Sequence, residues 1–125
     1  MVKYVEILNN KMIKLYNNSE IIIRNQTFKE YINELLIKDL TDIEGRLKAI
    51  KSKYGYKKLI PIYIRDDLCF IPLENTQYNK LYINIYSIVK ILNNEVIFID
   101  GEVLKTKKNF KTLKNYIMRA KQIKK

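Results

Sequence analysis

The sequence predicts one α+β domain over residues 1–125: an antiparallel sheet, two helices in the N-terminal half and a basic amphipathic helix at the C-terminus. Three observations point there. Short apolar runs with strand-like alternation are separated by Asn-Asn, Asp-Asp and Asp-Gly; hydroxyl-x-x-Glu signatures stand at Thr27 and Thr41; and a helical apolar stripe opens at Phe110. A chain of 125 residues suffices for one core and buries about two-thirds of the surface its unfolded form exposes.

Runs 3–8 and 11–16 flank Asn9-Asn10 as a hairpin, and 21–23 adds a short strand. Thr27 then caps a helix whose Glu30 completes a capping box, and Phe28, Tyr31, Ile32, Leu35 and Leu36 recur at helical spacing. Thr41-Asp42-Ile43-Glu44 repeats the signature for a second helix with the stripe Ile43, Leu47, Ile50 and Tyr54, stopped at Gly55. Only Asp39 and Leu40 are expected between the two helices, which raises a helix-turn-helix. Against it, Asp42 and Glu44 open the second helix, where a recognition helix meets phosphates that repel carboxylates. Gly45, Ala49 and Ser52 lie together opposite the apolar stripe, a small-residue face suited to close approach by a packed neighbour or by a phosphate backbone.

Ile60, Ile62 and Ile64 alternate with Pro61 and Tyr63, and Asp66-Asp67 returns the chain through 68–71, with Pro61 demanding an edge or a strand start and Pro72 closing the hairpin. A polar loop over 73–80, strands at 82–84 and 87–92, and a turn at Asn93-Asn94 follow. Val96 to Ile99, apolar at every position, suits a central strand covered on both faces, and Asp100-Gly101 suits a type I′ turn leading to 102–105. In the last helix Phe110, Leu113, Ile117 and Ala120 form the stripe, with Lys107, Lys111, Lys114 and Lys121 along one flank and Lys108 and Arg119 farther round.

The composition narrows the chemistry. Histidine is absent and Cys69 is the single cysteine, so Ser-His and Cys-His nucleophile pairs and a thiolate zinc site are excluded. Cys69 sits in an apolar run and reads as an inert thiol. Asp100-Gly101-Glu102 with Lys105 approaches the Glu-x-Lys nuclease pattern but fails its spacing, since residues three apart in a strand point to opposite faces. No enzyme, metal, cofactor or small-molecule ligand is expected. With no signal-like run at the start and no ~18-residue apolar segment, the expected location is the cytoplasm, at the nucleoid.

Charge is unevenly distributed. Of 24 basic residues, nine follow Glu102 and no acid does, which leaves a near-neutral body and a cationic tail. Such a footprint suits docking on a polyanion; an Ile-, Lys-, Asn- and Tyr-rich composition of the AT-rich kind also inflates lysine with no function attached. A membrane-surface helix would resemble this one, but those place Trp at the interface, and the chain has none.

The ordered series Glu44-Gly45-Arg46, Ile60-Pro61-Ile62-Tyr63-Ile64, Phe70-Ile71-Pro72, Tyr82-Ile83-Asn84 and a Gly101 hairpin before a final helix resembles the ComK family of competence transcription factors over about residues 41–123. The family pattern has a second Phe where Ile71 stands, Thr for Leu73 and Trp for Tyr82. The resemblance implies a double-stranded DNA-binding activator of DNA-uptake genes that recognises A/T-rich boxes largely through the minor groove, as a homodimer or higher oligomer. It also implies Arg46 as the groove-reading residue, with Lys48, Lys51, Lys107, Lys111, Lys114, Arg119 and Lys121 on phosphates. An extension linked to adaptor-guided proteolysis in fuller members is not expected after Lys125. A basic RNA-binding protein or histidine-free ribonuclease toxin is the alternative from another class, and a module with an acidic protein partner is a third.

Overall fold

A computed structural model of the protein describes residues 1–57, 59–74 and 80–123. The order of elements is β1 (Val2–Asn9), β2 (Met12–Asn17), β3 (Ile21–Arg24), α1 (Phe28–Leu36), α2 (Ile43–Tyr54), β4 (Ile62–Arg65), β5 (Leu68–Glu74), β6 (Lys80–Asn84), β7 (Ile88–Leu92), β8 (Glu95–Phe98), β9 (Val103–Lys105) and α3 (Phe110–Lys121). The fold is α+β. Its strands form two antiparallel sheets rather than one, a six-stranded sheet in the order β3-β2-β1-β6-β5-β4 and a three-stranded sheet β7-β8-β9.

The large sheet is the middle layer, and the period-two pleat splits its side chains between two cores. Val5, Ile13, Leu15, Ile62, Ile64 and Phe70 face α1 and the first half of α2. Tyr4, Tyr63, Cys69, Ile71, Leu81 and Ile83 face the small sheet and α3. Truncating the fully buried Phe70 or Phe98 to Ala costs about 3–5 kcal/mol, transfer and cavity terms together. The chain changes sheets at Asn84, whose side-chain oxygen accepts from the Cys69 and Tyr86 N–H groups at 3.3 and 3.2 Å while its Nδ2 donates to the Val2 carbonyl at 3.0 Å.

The Thr27–Glu30 capping box is present in both directions. The second helix is capped one residue later than the signature suggested, by Asp42, whose carboxylate accepts from the Gly45 N–H at 2.8 Å. A carboxylate is the stronger acceptor at a helix N-terminus. A 3-10 turn, Ile37–Asp39, and a left-handed Leu40 at φ 56° connect the helices. Gly45 is explained by its own cap rather than by a neighbour. A Cβ there would stand 2.8 Å from Thr41 Oγ1 and 3.2 Å from Asp42 Oδ1, and Gly45, Ala49 and Ser52 are exposed.

Three further expectations are corrected. Pro72 does not end its strand: it pairs with Tyr82 inside β5, beyond the end of the β4 ladder at Ile62↔Phe70, so one edge of β5 is already unladdered there. Strand β8 is central but fully covered on one face only: Val96 and Phe98 are buried and Ile97 is partly exposed, while Ile99, beyond the strand's end, is 56% exposed. The β8–β9 turn is a bulged hairpin, with Gly101 alone left-handed at φ 90° and its N–H donating to the Phe98 carbonyl at 2.9 Å, whereas type I′ needs two left-handed residues. Pro61 meets both of its conditions, preceding β4 at the sheet edge. Of the expected loop over 73–80, residues 75–79 lie outside the described residues, as do Lys124 and Lys125 of the tail.

Candidate nucleic-acid interface

Helix α3 is fixed at both ends. At its start the Asn109 side chain accepts from the Thr112 N–H at 2.9 Å, and Asn93 and Asn94 of the β7–β8 turn bond the Phe110 N–H and the Lys108 carbonyl at 2.9 and 3.2 Å. At its end Tyr56 donates to the Arg119 carbonyl at 3.1 Å. Leu113, Ala120 and the following Ile123 are buried, with Tyr116 and Ile117 partly so. Phe110, expected in the stripe, is 45% exposed, since the N-terminal turn overhangs the β7–β8 hairpin.

Docking in this way turns Lys107, Lys111, Lys114 and Lys121 to solvent along one flank. Lys111 and Lys121 are about 15 Å apart along the axis. Among the described residues none of these lysines, nor the exposed Lys105, enters an ion pair. Among the described residues the ion pairs are instead Lys3 with Asp100 and Glu102, Lys29–Glu44, Arg46–Asp39 and Arg65–Asp67. Lys48 and Lys51 are likewise exposed, on the outer side of α2, and outside every ion pair among the described residues.

The two arginines of the predicted site are placed differently. Arg46 has a side chain only 13% exposed, its Nη2 donates to Asp39 Oδ2 at 2.7 Å, and its guanidinium carbon lies 5.7 Å from the Tyr63 ring centroid. A residue so held leaves an ion pair and an aromatic face before it enters a groove. Arg119 is half-buried, with its guanidinium 4.2 Å from the centroid of Tyr56.

Sequence reasoning missed the cluster to which Arg119 belongs. Gly55 is left-handed at φ 71°, its N–H donating to the Lys51 carbonyl as the helix ends, and the reversal brings Tyr56 back against Tyr54 with centroids 5.8 Å apart and planes at 19°. Lys53 Nζ lies 5.4 Å from the Tyr54 ring. The signal was in Lys53-Tyr54-Gly55-Tyr56-Lys57, a basic and aromatic interleaving at a helix end, where Tyr54 read only as packing and Gly55 only as a stop.

Cys69 is buried and desolvation pushes its thiol up to about 12, so it is unreactive at neutral pH. Among the described residues no group of three or more metal-ligating side chains converges, and no helix is long and apolar enough to cross a membrane. No family model matches the chain, and neither the curated proteins nor the solved structures yield a match.

Proposed function

We propose that this protein is a sequence-selective, double-stranded DNA-binding transcriptional activator of the ComK kind, acting on competence and DNA-uptake genes as a homodimer or higher oligomer. One observation carries the DNA-binding part: among the described residues the exposed Lys48, Lys51, Lys105, Lys107, Lys111, Lys114 and Lys121 stand in no ion pair, and no acidic residue follows Glu102 to offset the charge of the tail. Unpaired, outward cations along a rigid helix release counterions when they meet phosphates. Lys48, Lys51, Lys107, Lys111, Lys114 and Lys121 are the phosphate set in this reading, and Arg46 belongs to the scaffold. Preference for A/T-rich boxes comes from the narrowed minor groove of A-tracts and its deeper negative potential. No catalysis is assigned.

The test is binding to a duplex with two spaced A/T boxes and to a G/C-rich duplex of equal length, across a salt series. The proposal expects a ten-fold or greater A/T preference, about 1.4 kcal/mol. Equal, salt-sensitive binding would reduce the protein to a generic polyanion binder. Absent DNA binding together with cleavage of RNA would establish the ribonuclease alternative.

A further inference from the structure

We infer that the free edge of β3 is where a second copy of this chain docks, by antiparallel strand pairing about a two-fold axis at Ile22, an inference that rests on the homodimer proposed above and names its interface. Strand β3 ends the six-stranded sheet. The opposite end of that sheet is guarded: β4 opens after Pro61, and its register against β5 shifts between Tyr63 and Arg65. Proline and bulges are common means by which an edge refuses a further strand. The small sheet has similar devices, a register shift between Ile88 and Lys90 in β7 and, in β9, a length of three residues ending on Lys105. Strand β3 has no proline, lysine or bulge. It runs Ile21-Ile22-Ile23-Arg24 in unbroken register with β2, and Ile21 and Ile23 are 58% and 59% exposed while Ile22 packs on the α1 core.

The hydrogen-bond phase of the β2–β3 hairpin decides how a partner can pair. The Asn17 N–H donates to the Glu20 carbonyl at 2.9 Å, so Asn17 and Glu20 form a bonded pair, and alternation along the ladder makes Leu15↔Ile22 and Ile13↔Arg24 the next bonded pairs. The backbone N–H and C=O groups of Ile21 and Ile23 therefore point away from β2, to the open edge. A second copy set antiparallel, with Ile22 opposite Ile22, brings Ile21 of each copy opposite Ile23 of the other, so every outward group meets a partner. The exposed isoleucines of both copies then share one face of the joined sheet. The same register sets Glu20 opposite Arg24 at both ends of the pairing. Both residues are exposed, and among the described residues neither enters an ion pair. Moving the axis to Ile21 or Ile23 separates these charges, and a parallel in-register pair sets Glu20 on Glu20, so charge selects the one arrangement that the backbone also favours. A strand this short makes a small interface, under about 1,200 Å², and hence a weak, reversible dimer.

The experiment is sedimentation of the full chain over a concentration series, for wild type, Ile23→Pro, Glu20→Lys, Arg24→Glu and the double charge swap, with oxidative crosslinking of Ile22→Cys and Ile21→Cys. The wild type is expected to pass reversibly from monomer to dimer. Ile23→Pro removes an N–H that the monomer's own ladder does not use and sets a ring on the edge, so it keeps the wild-type melting temperature and loses the dimer. Each single charge variant weakens dimerisation about ten-fold, and the swap restores it to within about three-fold. The Ile22→Cys thiols meet across the axis in a non-bonded pair, where β-carbons approach most closely, and give a covalent dimer; Ile21→Cys, opposite Ile23, does not. The native Cys69 is buried and does not compete. A wild-type chain that stays monomeric would overturn the second copy as occupant and leave the edge to a strand of another protein. A dimer untouched by Ile23→Pro and by the charge variants would place the interface elsewhere. Either result, with A/T-selective duplex binding intact, leaves the DNA-binding reading standing. A dimer lost in Ile23→Pro, in a protein that binds no duplex, would keep the interface and overturn that reading.

Discussion

Arg46 Nη2 donates to Asp39 Oδ2 at 2.7 Å, which joins the first turn of α2 to the 3-10 turn before it. With its guanidinium carbon also 5.7 Å from the Tyr63 ring centroid, Arg46 links the α1–α2 connection to β4 at the sheet edge. Arg46→Ala is therefore expected to cost about 1–2 kcal/mol in urea unfolding, through a lost, partly shielded ion pair and lost packing. A double-mutant cycle with Asp39→Asn should give a coupling of about 1 kcal/mol. Its A/T preference should stay within two-fold of wild type. Unchanged stability with a lost preference would instead place Arg46 in the groove.

Lys3 ties the two sheets together. A register shift between Val2↔Asn17 and Tyr4↔Tyr16 leaves Lys3 as the extra residue of a β-bulge, which re-aims it from the face of Val5 toward the β8–β9 turn. There its buried ammonium donates to Asp100 at 2.7 Å and to Glu102, while Tyr4 donates to Glu102 at 2.6 Å. Burial pulls the Lys3 ammonium down, but the two carboxylates outweigh it and hold it above the ordinary lysine value; Lys3 in turn holds Asp100 below the ordinary carboxylate value. A raised lysine contributes stability that is complete below its unfolded value, about 10.4, and is lost as pH climbs through the folded one. A depressed Asp contributes stability that is complete above about 3.9 and is lost as pH falls through its folded value. Lys3→Met should therefore unfold at lower urea throughout the neutral range and show a shallower loss of stability at both extremes. Parallel pH profiles for the two proteins would mean that the ion pairs contribute nothing to folding.

Leu40 is 94% exposed and left-handed at φ 56°, so its side chain gains nothing from packing while its backbone occupies a conformation that costs a β-carbon-bearing residue about 1 kcal/mol or more. Its N–H ends the 3-10 turn on the Ile37 carbonyl at 3.0 Å, the place where glycine is usual. Leu40→Gly relieves the strain and gives part of it back to unfolded-chain entropy. The expected net gain is about 0.5–1 kcal/mol, read as a melting temperature about 2–6 °C higher. A lower melting temperature would show that Leu40 packs against something in the folded protein.

What the sequence made legible was local. The Thr27–Glu30 box, the stripe ending at Gly55 and the lysine flank of α3 each depend on residues within a turn or two of one another, and each was readable at that range. The pairing of β6 with β1 was not, because Tyr4↔Ile83 joins strands far apart in sequence and nothing in either strand names its partner. Nor was the bulge at Lys3, which leaves its trace only in the register against β2. The candidate site divides in the same way: the exposed lysines followed from helical spacing, whereas Tyr56 on Arg119 needed both the left-handed Gly55 and the docking of α3.

Lysines on one flank of a docked helix make a quantitative claim that separates positioning from reading. Lys111 and Lys114 are exposed, outside every ion pair among the described residues, and set away from the buried Leu113, so replacing both with Ala removes charge without opening the core. Helix propensity is also kept, since Ala is at least as favourable as Lys. If about five phosphates are neutralised per protomer, log K falls against log salt with a slope near −4.5, and the double variant, two contacts fewer, with a slope near −2.7. Affinity for A/T and G/C duplexes should fall by the same factor, because contacts to phosphate carry no sequence information. An unchanged slope would move the backbone contact off this flank of α3. A loss confined to the A/T duplex would mean that these lysines lie in the groove and read its shape.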